Sequence, residues 1–513
     1  MVTSTIDTMA AGVASEVVRL DGTCELDRAA IGGKAWSVNA MRAQGLPVPP
    51  AVALTTGCCA EFYAAGGVVP EEVWQQVRRG IAFLEEETGR GFGDDQHPLL
   101  VSVRSGAPVS MPGMMDTVLN LGLTPATAAG LAAESGDEAY VADTRERFVR
   151  QYRETVLDDE HGLVPDDPWD QLRAAVGAVF ASWQSPRALT YRGSRGIAGD
   201  LGTAVTIQAM VFGNLDDRSG TGVLFTRNPS TGARAPFGEW LPRGQGEDVV
   251  SGRVTPQPLA ALATELPGAH ALLMDAASAL EEASRDVQDI EFTVEAGRLW
   301  LLQTRAAKRS SAAAVRIAVD LVDEGLLTEA EAVGRVTLEQ VRGVLGAGTG
   351  VGQGEPLATG EAACPGLATG IAVTDPDEAE ERADRGEDVI LVRSATSPDD
   401  LHGMLAARGI VTEYGGATSH AAVVSREIAR PCVVGCGEGT LALLSGREIT
   451  VDGATGQVWE GRVEATAADP AADPTLRRLT GWAEALLPDG ERARVAGLPA
   501  AERVVATFES LDR

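Results

Sequence analysis

The stretch QDIEFTVEAGRLWLLQTR, residues 288–305, consists of two β-rich runs joined at EAGR, and it predicts a β-hairpin. Residues two apart on a strand point to the same face. Asp289 and Glu291 on the first strand, and Gln303 and Arg305 on the second, therefore lie on one polar face. Carboxylate and amide oxygens suit Mg²⁺, and an arginine fork suits a triphosphate. The hairpin thus predicts a site for Mg²⁺ and a nucleotide, with a ladder of surface salt bridges as the alternative.

Two stretches upstream place cations next to glycines. Gly32 and Gly33 precede Lys34 at the predicted start of a helix, where backbone N–H groups and a lysine favour an anion. The spacing is not that of a P-loop, and a glycine turn with a solvated lysine is the alternative. Arg104 ends the apolar strand PLLVSVRSG, residues 98–106, and such an arginine needs an anion. That anion is either a structural carboxylate or a nucleotide phosphate.

Downstream, the stretch TEYGGATSHAAVVSREIARPCVVGCG, residues 412–437, contains one of only five histidines in the chain. A neutral imidazole is a competent nucleophile near pH 7. Gly415 and Gly416 let the backbone approach a ligand closely, and the Thr418 hydroxyl can donate to phosphoryl oxygens. The residues that follow predict a helix start with N–H groups directed at an anion. His420 is therefore either a carrier of a phosphoryl group or a buried structural histidine.

Composition limits the partners of the chain. The net charge of −30 over 513 residues argues against nucleic acid or an anionic membrane as the main partner. No run of 18 apolar residues is present, and the first residues lack the basic and apolar regions of a secretion signal. Six cysteines without metal-ligand spacing indicate buried thiols. We expect a cytoplasmic protein.

The pattern along the chain predicts a multidomain α/β and α+β protein. Residues 123–200 are Ala-rich and mostly helical, and residues 346–360 form a glycine-rich hinge. A compact alternation of short strands and helices over 361–462 predicts a small α/β domain. The tail, 463–513, is predicted to be helical after an Ala/Asp/Pro-rich start.

Several motifs together resemble one enzyme family, the pyruvate phosphate dikinases. They occur in that family's order and extend over roughly residues 27–462. The motifs SMPGMMDTVLNLGL and RNPSTG place the sequence nearer to the dikinases than to the related phosphoenolpyruvate synthases. The stretches that carry the resemblance are GGKAWSVNAM, PLLVSVRSGAPVSMPGMMDTVLNLGL, SPRALTYRG, GDLGTAVTIQAMVFGN, SGTGVLFTRNPSTG, GQGEDVVSG, QDIEFTVEAGRLWLLQTR and GGATSHAAVVSREIARPCVVGCG.

The resemblance implies an ATP-grasp nucleotide-binding domain over 1–345, with the helical insert at 123–200, and a swivelling phosphohistidine domain over 361–462. The segment 346–360 becomes the hinge. The tail, 463–513, resembles the linker to the family's pyruvate-binding (β/α)₈ barrel and a trace of the first barrel strand. The barrel itself is expected to be absent from this sequence.

The resemblance also implies roles for individual residues. His420 matches the histidine that carries the phosphoryl group, and Thr418 matches a threonine that a regulatory protein phosphorylates in some members. We expect His420, Arg104 and Thr418 to act in catalysis, and Glu291 and Gln303 to bind Mg²⁺. The expected ATP-binding residues are Lys34, Arg104, Asp289, Glu291, Gln303 and Arg305.

The expected reaction is the first half of the dikinase cycle, in which ATP is converted to AMP and His420 becomes phosphorylated with Mg²⁺ as cofactor. The phosphoryl group then passes to an acceptor on a separate polypeptide, as in a split dikinase. Two alternatives stay open: a phosphotransferase that acts directly on another small molecule or protein, and a regulatory protein that senses nucleotide without turnover.

Overall fold

A computed structural model describes residues 13–109, 111, 114–250, 254–346, 355–464 and 473–511. Helices and strands alternate along most of the chain, and the fold is a mixed α/β multidomain fold, as the sequence predicts. No helix in the described ranges is long and apolar enough to cross a bilayer.

The elements of the first part of the chain, up to the predicted hairpin, are β1 (Val17–Arg19), α1 (Arg28–Ala43), β2 (Ala51–Leu54), α2 (Thr56–Ala64), α3 (Glu71–Thr88), β3 (Gly91–Phe92), β4 (Pro98–Leu99), β5 (Val101–Gly106), β6 (Thr117–Leu121), α4 (Pro125–Ser135), α5 (Glu138–Tyr152), α6 (Pro168–Ala181), α7 (Pro186–Arg195), β7 (Ala204–Ala209), β8 (Gly220–Phe225), β9 (Phe237–Pro242), α8 (Gly246–Val250), β10 (Gln257–Pro258), α9 (Ala260–Glu265) and α10 (Pro267–Ser284).

The elements of the second part are β11 (Gln288–Glu295), β12 (Arg298–Ala306), α11 (Ser311–Asp323), α12 (Glu329–Arg335), α13 (Leu338–Gly346), β13 (Ala358–Thr359), β14 (Glu361–Cys364), β15 (Leu367–Val373), α14 (Pro376–Asp384), β16 (Val389–Arg393), α15 (Leu401–Ala406), β17 (Gly409–Thr412), α16 (His420–Glu427), β18 (Cys432–Val434), α17 (Thr440–Leu444), β19 (Glu448–Asp452), β20 (Gln457–Glu460), α18 (Pro474–Leu486), α19 (Asp489–Ala496) and α20 (Ala500–Leu511).

The chain divides into two compact units. Unit 1 contains residues up to Gly220 together with Glu291–Arg305. Its main sheet has the order β1-β2-β7-β5-β6, and all of its strand pairs are antiparallel. Helices α4 to α7 occupy the stretch 123–200 that was predicted to be mostly helical, and side-chain caps at Thr124, Asp137 and Asp167 begin three of them. This sheet carries Arg104 at the end of β5.

Unit 2 contains Thr221–Ile290 and the residues from Ala306 onward. Helices α11 to α13 bury an apolar face, and the tail helices α18 and α20 pack into the same core through Leu476, Leu479 and Phe508. Because burial of such side chains contributes about 1.5–3 kcal/mol each, the tail is an integral part of this core. The expected trace of a barrel strand in the tail is wrong, since α20 covers that stretch as a helix.

An eight-stranded mixed sheet forms the small α/β part of unit 2. Its order is β13-β20-β19-β15-β16-β17-β18-β14, and the four central strands β15 to β18 run parallel. Three of the parallel strands, β16 to β18, are apolar and almost fully buried on both faces, as in a sheet covered by helices. Loops that leave adjacent parallel strands meet at the carboxyl edge of the sheet, where ligand sites are usual.

The hairpin of residues 288–305 is confirmed as β11 and β12, with the turn at Ala296 and Gly297. The predicted hinge, 346–360, falls largely on residues 347–354, which lie outside the described ranges. The domain boundaries at 345 and 361 therefore stay predictions.

Candidate functional site

The Gly-Gly-Lys stretch opens the second of two helical segments that make up α1. The first segment begins at Arg28, where the Asp27 carboxylate caps the N–H of Ala30 at 2.9 Å. Gly32 interrupts the helix with φ of +75°, and a Cβ on this residue would lie 1.7 Å from the carbonyl oxygen of Gly106. Only glycine allows this close approach, which brings the Lys34 segment against the end of β5.

The close approach also uses a backbone donor that was expected to face an anion. The N–H of Gly33 donates to the carbonyl oxygen of Ala107 at 3.0 Å. The Lys34 side chain starts 3.6 Å, at its Cβ, from the position a Cβ on Gly106 would take. The lysine is therefore held beside the end of β5, where Arg104 also lies.

Arg104 has a carboxylate partner, and that partner is Glu291 of the hairpin. The guanidinium Nη2 donates to Glu291 Oε2 at 3.1 Å, with the two side chains 16% and 24% exposed. Burial acts to raise the pKa of Glu291, but the charges of Arg104, Arg305 and Lys34 outweigh it and lower the pKa. Glu291 is thus ionised at neutral pH and lies within the field of three cations.

Gln303 completes the group on the hairpin. Its Nε2 donates to Glu291 Oε1 at 3.5 Å, and its Oε1 is buried with no hydrogen-bond partner in the described ranges. A buried acceptor oxygen without a hydrogen-bond donor is uncommon in native proteins. An ionised carboxylate and an amide oxygen are suitable ligands for Mg²⁺, so Glu291 and Gln303 fit the metal that the sequence predicts.

Unit 1 therefore gathers five of the six predicted nucleotide-binding residues: Lys34, Arg104, Glu291, Gln303 and Arg305. The sixth, Asp289, belongs to unit 2 by its contacts and lies two residues before Glu291 on β11. It is buried, and its charge acts on the guanidinium of Arg426 in the same unit. In chemical terms, the unit 1 group combines three cations with oxygen ligands, which can bind the phosphates of a nucleotide and a divalent cation.

The predicted phosphoryl carrier lies at the carboxyl edge of the parallel strands. His420 is the first residue of α16, and the Ser419 side chain caps this helix by accepting the N–H of Ala422 at 3.5 Å. The loop before it leaves β17, and Thr396 lies in the loop that leaves the neighbouring strand β16. The Thr396 Oγ1 is 3.0 Å from His420 Nδ1. Because one ring nitrogen is held in this way, the ring has a fixed orientation.

The His420 ring is unprotonated at neutral pH, and this state favours nucleophilic attack. Burial lowers the pKa of the imidazole to about 4, and the carboxylates of Asp400 and Asp399 oppose this shift without cancelling it. The ring is therefore neutral at pH 7. Its Nε2 is buried and has no hydrogen-bond partner in the described part of the chain. An imidazole with one nitrogen held and the other unpartnered can attack phosphorus through the second nitrogen.

Sequence reasoning missed the residues that support the ring. Ser397 and Asp400 form a capping box, in which the Ser397 N–H donates to Asp400 at 2.7 Å, and Arg393 pairs with Asp400 at 3.2 Å. Together they fix the loop that carries Thr396. The Ser-Pro-Asp-Asp pattern of residues 397–400 could have predicted the helical turn that begins there. The contact of Thr396 with His420 joins residues 24 positions apart, so no local pattern indicates it.

Glu239 on strand β9, which sequence reasoning also missed, contacts the loop of residues 413–419 that precedes His420, the carrier loop. The Thr418 hydroxyl donates to the Glu239 carboxylate, and the Thr418 N–H donates to the same oxygen at 3.3 Å. Thr418 and Glu239 are 1% and 6% exposed. Thr418 was predicted to contact a phosphoryl group, whereas in this structure its hydroxyl is bound to a carboxylate.

Two family models match parts of this chain. Residues 66–270 match "Pyruvate phosphate dikinase, AMP/ATP-binding domain", and residues 385–456 match "PEP-utilising enzyme, mobile domain". The first match includes Arg104 and the second includes His420. The chain contains the ATP-binding and mobile domains of the pyruvate phosphate dikinase family.

Curated members of the dikinase family align over most of this chain. The pyruvate, phosphate dikinase of Clostridium symbiosum is 41% identical over 513 residues, which cover 88% of this chain and 58% of that protein. That of Rhizobium meliloti (strain 1021) is 41% identical over 545 residues, covering 91% and 59%. The chloroplastic dikinase 1 of Arabidopsis thaliana is 41% identical over 514 residues, covering 89% and 53%. The chain thus spans somewhat more than half the length of these dikinases.

Proposed function

We propose that this protein is an ATP-dependent phosphotransferase that forms phosphohistidine on His420, the first half of a dikinase reaction. The observation that carries the proposal is the state of His420, which is a neutral imidazole with Nδ1 beside Thr396 and Nε2 unpartnered in the described ranges. In the required tautomer the Nδ1–H donates to the Thr396 oxygen. The Nε2 lone pair is then available to a phosphorus atom.

In the proposed step, a bond forms between His420 Nε2 and the β-phosphorus of ATP. At the same time, the bond from that phosphorus to the oxygen shared with the α-phosphorus breaks. AMP leaves with the electron pair, and the histidine carries a pyrophosphoryl group. Phosphate, as in a dikinase, or water then attacks the outer phosphorus, and pyrophosphate or phosphate departs. Phosphohistidine remains.

The chain's own residues contribute positioning and charge. Lys34, Arg104 and Arg305 would neutralise the triphosphate, and Glu291 and Gln303 would hold Mg²⁺. Bound Mg²⁺ would supply further charge neutralisation on the phosphates. We also propose that residues 1–345 form the ATP-grasp domain and that the hinge, 346–360, lets the carrier domain, 361–462, move.

We propose that the acceptor lies on a separate polypeptide, as in a split dikinase. A search for a separately encoded barrel protein that takes the phosphoryl group from labelled His420 tests this part. Transfer from the labelled chain directly to a small molecule, or to a protein without such a barrel, would contradict it. The six free cysteines favour the reducing cytoplasm as the compartment.

The main experiment uses ATP labelled with ³²P at the β-phosphate. We expect an acid-labile, base-stable label on the chain and stoichiometric AMP, both dependent on Mg²⁺. His420→Asn should abolish the label. His402→Asn is the matched control, since His402 lies in the same domain and pairs with Asp377 at 2.9 Å away from the carrier loop. A chain that binds ATP but never becomes labelled would overturn the proposal.

A second label identifies the second acceptor. With ATP labelled at the γ-phosphate, a dikinase pattern gives labelled pyrophosphate only when inorganic phosphate is present. A synthase pattern gives labelled phosphate in its absence. Either result is compatible with phosphohistidine formation and decides between phosphate and water.

A further inference from the structure

One buried hydroxyl in the main sheet of unit 1 has no hydrogen-bond partner among the described residues. It belongs to Thr206 on β7, and this residue is 1% exposed. A buried donor without an acceptor carries the full cost of losing its water, so native proteins pair nearly all such groups. The packing of the sheet alone therefore does not explain a threonine at this position.

The strand register places Thr206 beside Arg104. The two residues are directly opposite each other on the antiparallel strands β7 and β5. Side chains of such a pair point to the same face of the sheet, and their Cβ atoms lie about 4.5–5.5 Å apart. The guanidinium of Arg104 reaches Glu291 on the hairpin, so the cations and the hairpin acid meet on this face. The hydroxyl of Thr206 thus lies on the same face as the proposed nucleotide site.

Neighbouring polar side chains on this face have partners within the protein. Ser102 and Gln208 are also directly opposite each other, two residues along from Arg104 and Thr206. The Ser102 hydroxyl donates to the carbonyl oxygen of Gln208 at 3.4 Å, and the Gln208 Nε2 donates to the carbonyl oxygen of Pro49 at 3.2 Å. Thr206 differs from these neighbours, since its hydroxyl is the group that no described residue satisfies.

A second side chain of unit 1 is in a similar state. The Oε1 of Gln303 is buried and has no hydrogen-bond partner in the described part of the chain. An amide oxygen only accepts, whereas the hydroxyl of Thr206 can donate, and the two groups are not bonded to each other. A ligand that satisfies both must carry an acceptor for the hydroxyl and a cation or donor for the amide oxygen. The Mg²⁺ complex of a polyphosphate carries both.

We propose that Thr206 is a further nucleotide-binding residue, whose hydroxyl donates a hydrogen bond to an anionic oxygen of the phosphate chain beside Arg104. The inference rests on the part of the proposed function in which unit 1 binds ATP. It adds a neutral donor to a site that otherwise consists of charged groups and an amide. Neither the hairpin pattern nor the Gly-Gly-Lys stretch indicates this residue.

The substitution Thr206→Val replaces the hydroxyl by a methyl group, and it should change stability and affinity in opposite directions. Without ligand, the variant should unfold at a higher denaturant concentration than the wild type, because a buried donor without an acceptor is removed. With Mg²⁺ and α,β-methylene ATP, whose α–β bridge the proposed step cannot break, calorimetry of the full chain measures affinity. The dissociation constant should rise about tenfold or more, because a hydrogen bond to a charged oxygen is lost. Thr206→Ser keeps the hydroxyl and should keep most of the affinity.

Inorganic tripolyphosphate with Mg²⁺ tests whether the contact is made to the phosphate chain. As a competitor of the nucleotide analogue, it should be weakened by Thr206→Val in the same proportion as the analogue itself. Equal inhibition constants in the wild type and the variant, or no competition in either, would overturn the assignment to the phosphate chain.

Thr127→Val is the matched control. Thr127 is also 1% exposed, but its hydroxyl donates to the carbonyl oxygen of Gly122 at 2.9 Å, in the capping box that begins α4. This variant should lose stability and bind the analogue as tightly as the wild type.

The outcomes separate this inference from the proposed function. A Thr206→Val variant that binds the analogue as tightly as the wild type, or that is less stable without ligand, overturns the inference and leaves the proposed function intact. A wild type that does not bind the analogue overturns both. A wild type that binds it through Thr206 but forms no phosphohistidine from ATP retains the inference and refutes the proposed transfer to His420.

Discussion

Replacing Thr396 by valine removes one oxygen and keeps the shape of a side chain that contacts the nucleophile. The Thr396 Oγ1 lies 3.0 Å from His420 Nδ1, and Thr396 is buried. In the reactive tautomer, the variant leaves a buried N–H without an acceptor, and this costs about 1–3 kcal/mol. The cost falls on the tautomer that carries the lone pair on Nε2. We therefore expect the rate of His420 phosphorylation to fall about 5- to 150-fold, since 1.4 kcal/mol corresponds to a factor of ten.

The assay measures single-turnover transfer from ATP labelled at the β-phosphate, together with ¹⁵N chemical shifts of the His420 ring. The shifts should show Nδ1–H dominant in the wild type and a mixture of tautomers in Thr396→Val. Thr450→Val is the control, because it removes a buried hydroxyl of the same sheet that donates to Gly461 at 2.6 Å. An unchanged rate with unchanged shifts in Thr396→Val, at normal stability, would refute the reasoning.

Three further predictions follow from single contacts. Gly32→Ala should lower the free energy of unfolding by at least about 2 kcal/mol in denaturant titrations. The control Gly45→Ala, at a residue with a similar φ of +72° and no atom within 4 Å of an added Cβ, should lower it by about 1 kcal/mol. Equal losses in the two variants would contradict the close approach of Gly32 to Gly106. Glu291→Gln should strengthen metal-free ATP binding in calorimetry and abolish the gain from Mg²⁺, because a carboxylate among three cations is removed; a retained Mg²⁺ effect would exclude Glu291 as a ligand. His420 should titrate near pH 4 by NMR, so its phosphorylation rate should not fall between pH 8 and 5; a midpoint near 6.5 would contradict the buried, neutral ring.

The polar face of the hairpin was predictable because residues two apart on a strand point to the same side. Alternation alone places Glu291 beside Asp289 and Gln303 beside Arg305, and the structure has both strands as expected. The antiparallel neighbours of β5 were not predictable in the same way. Arg104 meets Glu291, 187 residues further along the chain, although β5 and β11 belong to different sheets, and no local pattern predicts that contact.

The Gly-Gly-Lys stretch was only partly predictable from its local sequence. Lysine after two glycines was predicted to open a helix with its N–H groups directed at an anion. A helical segment does begin behind the break at Gly32, but the N–H of Gly33 is bound to the carbonyl oxygen of Ala107 and not directed at a ligand. Gly32 serves the close packing of α1 against β5, a tertiary requirement that sequence reasoning assigned to ligand binding.

The environment of His420 could not be predicted, since it depends on side chains that belong to other elements. The sequence gives an imidazole after glycines, and from that pattern a structural histidine and a carrier are equally compatible. Thr396 arrives from the loop after β16, and the carboxyl group that binds Thr418 arrives from β9, 179 residues away. Parallel packing of β16 and β17 is the physical reason that the first pair meets.

The acidity of the whole chain bears on how the two sites can act. With 43 basic and 73 acidic side chains, the surface repels a nucleotide triphosphate, so binding depends on a local excess of positive charge. Lys34, Arg104 and Arg305 around Glu291 form such an excess, which a triphosphate would complete. The His420 ring lies in the opposite surroundings, near the carboxylates of Asp399 and Asp400, and burial keeps it neutral although these charges act to raise its pKa. A phosphorylated His420 would face those carboxylates, and their repulsion of the phosphoryl anion would favour its departure.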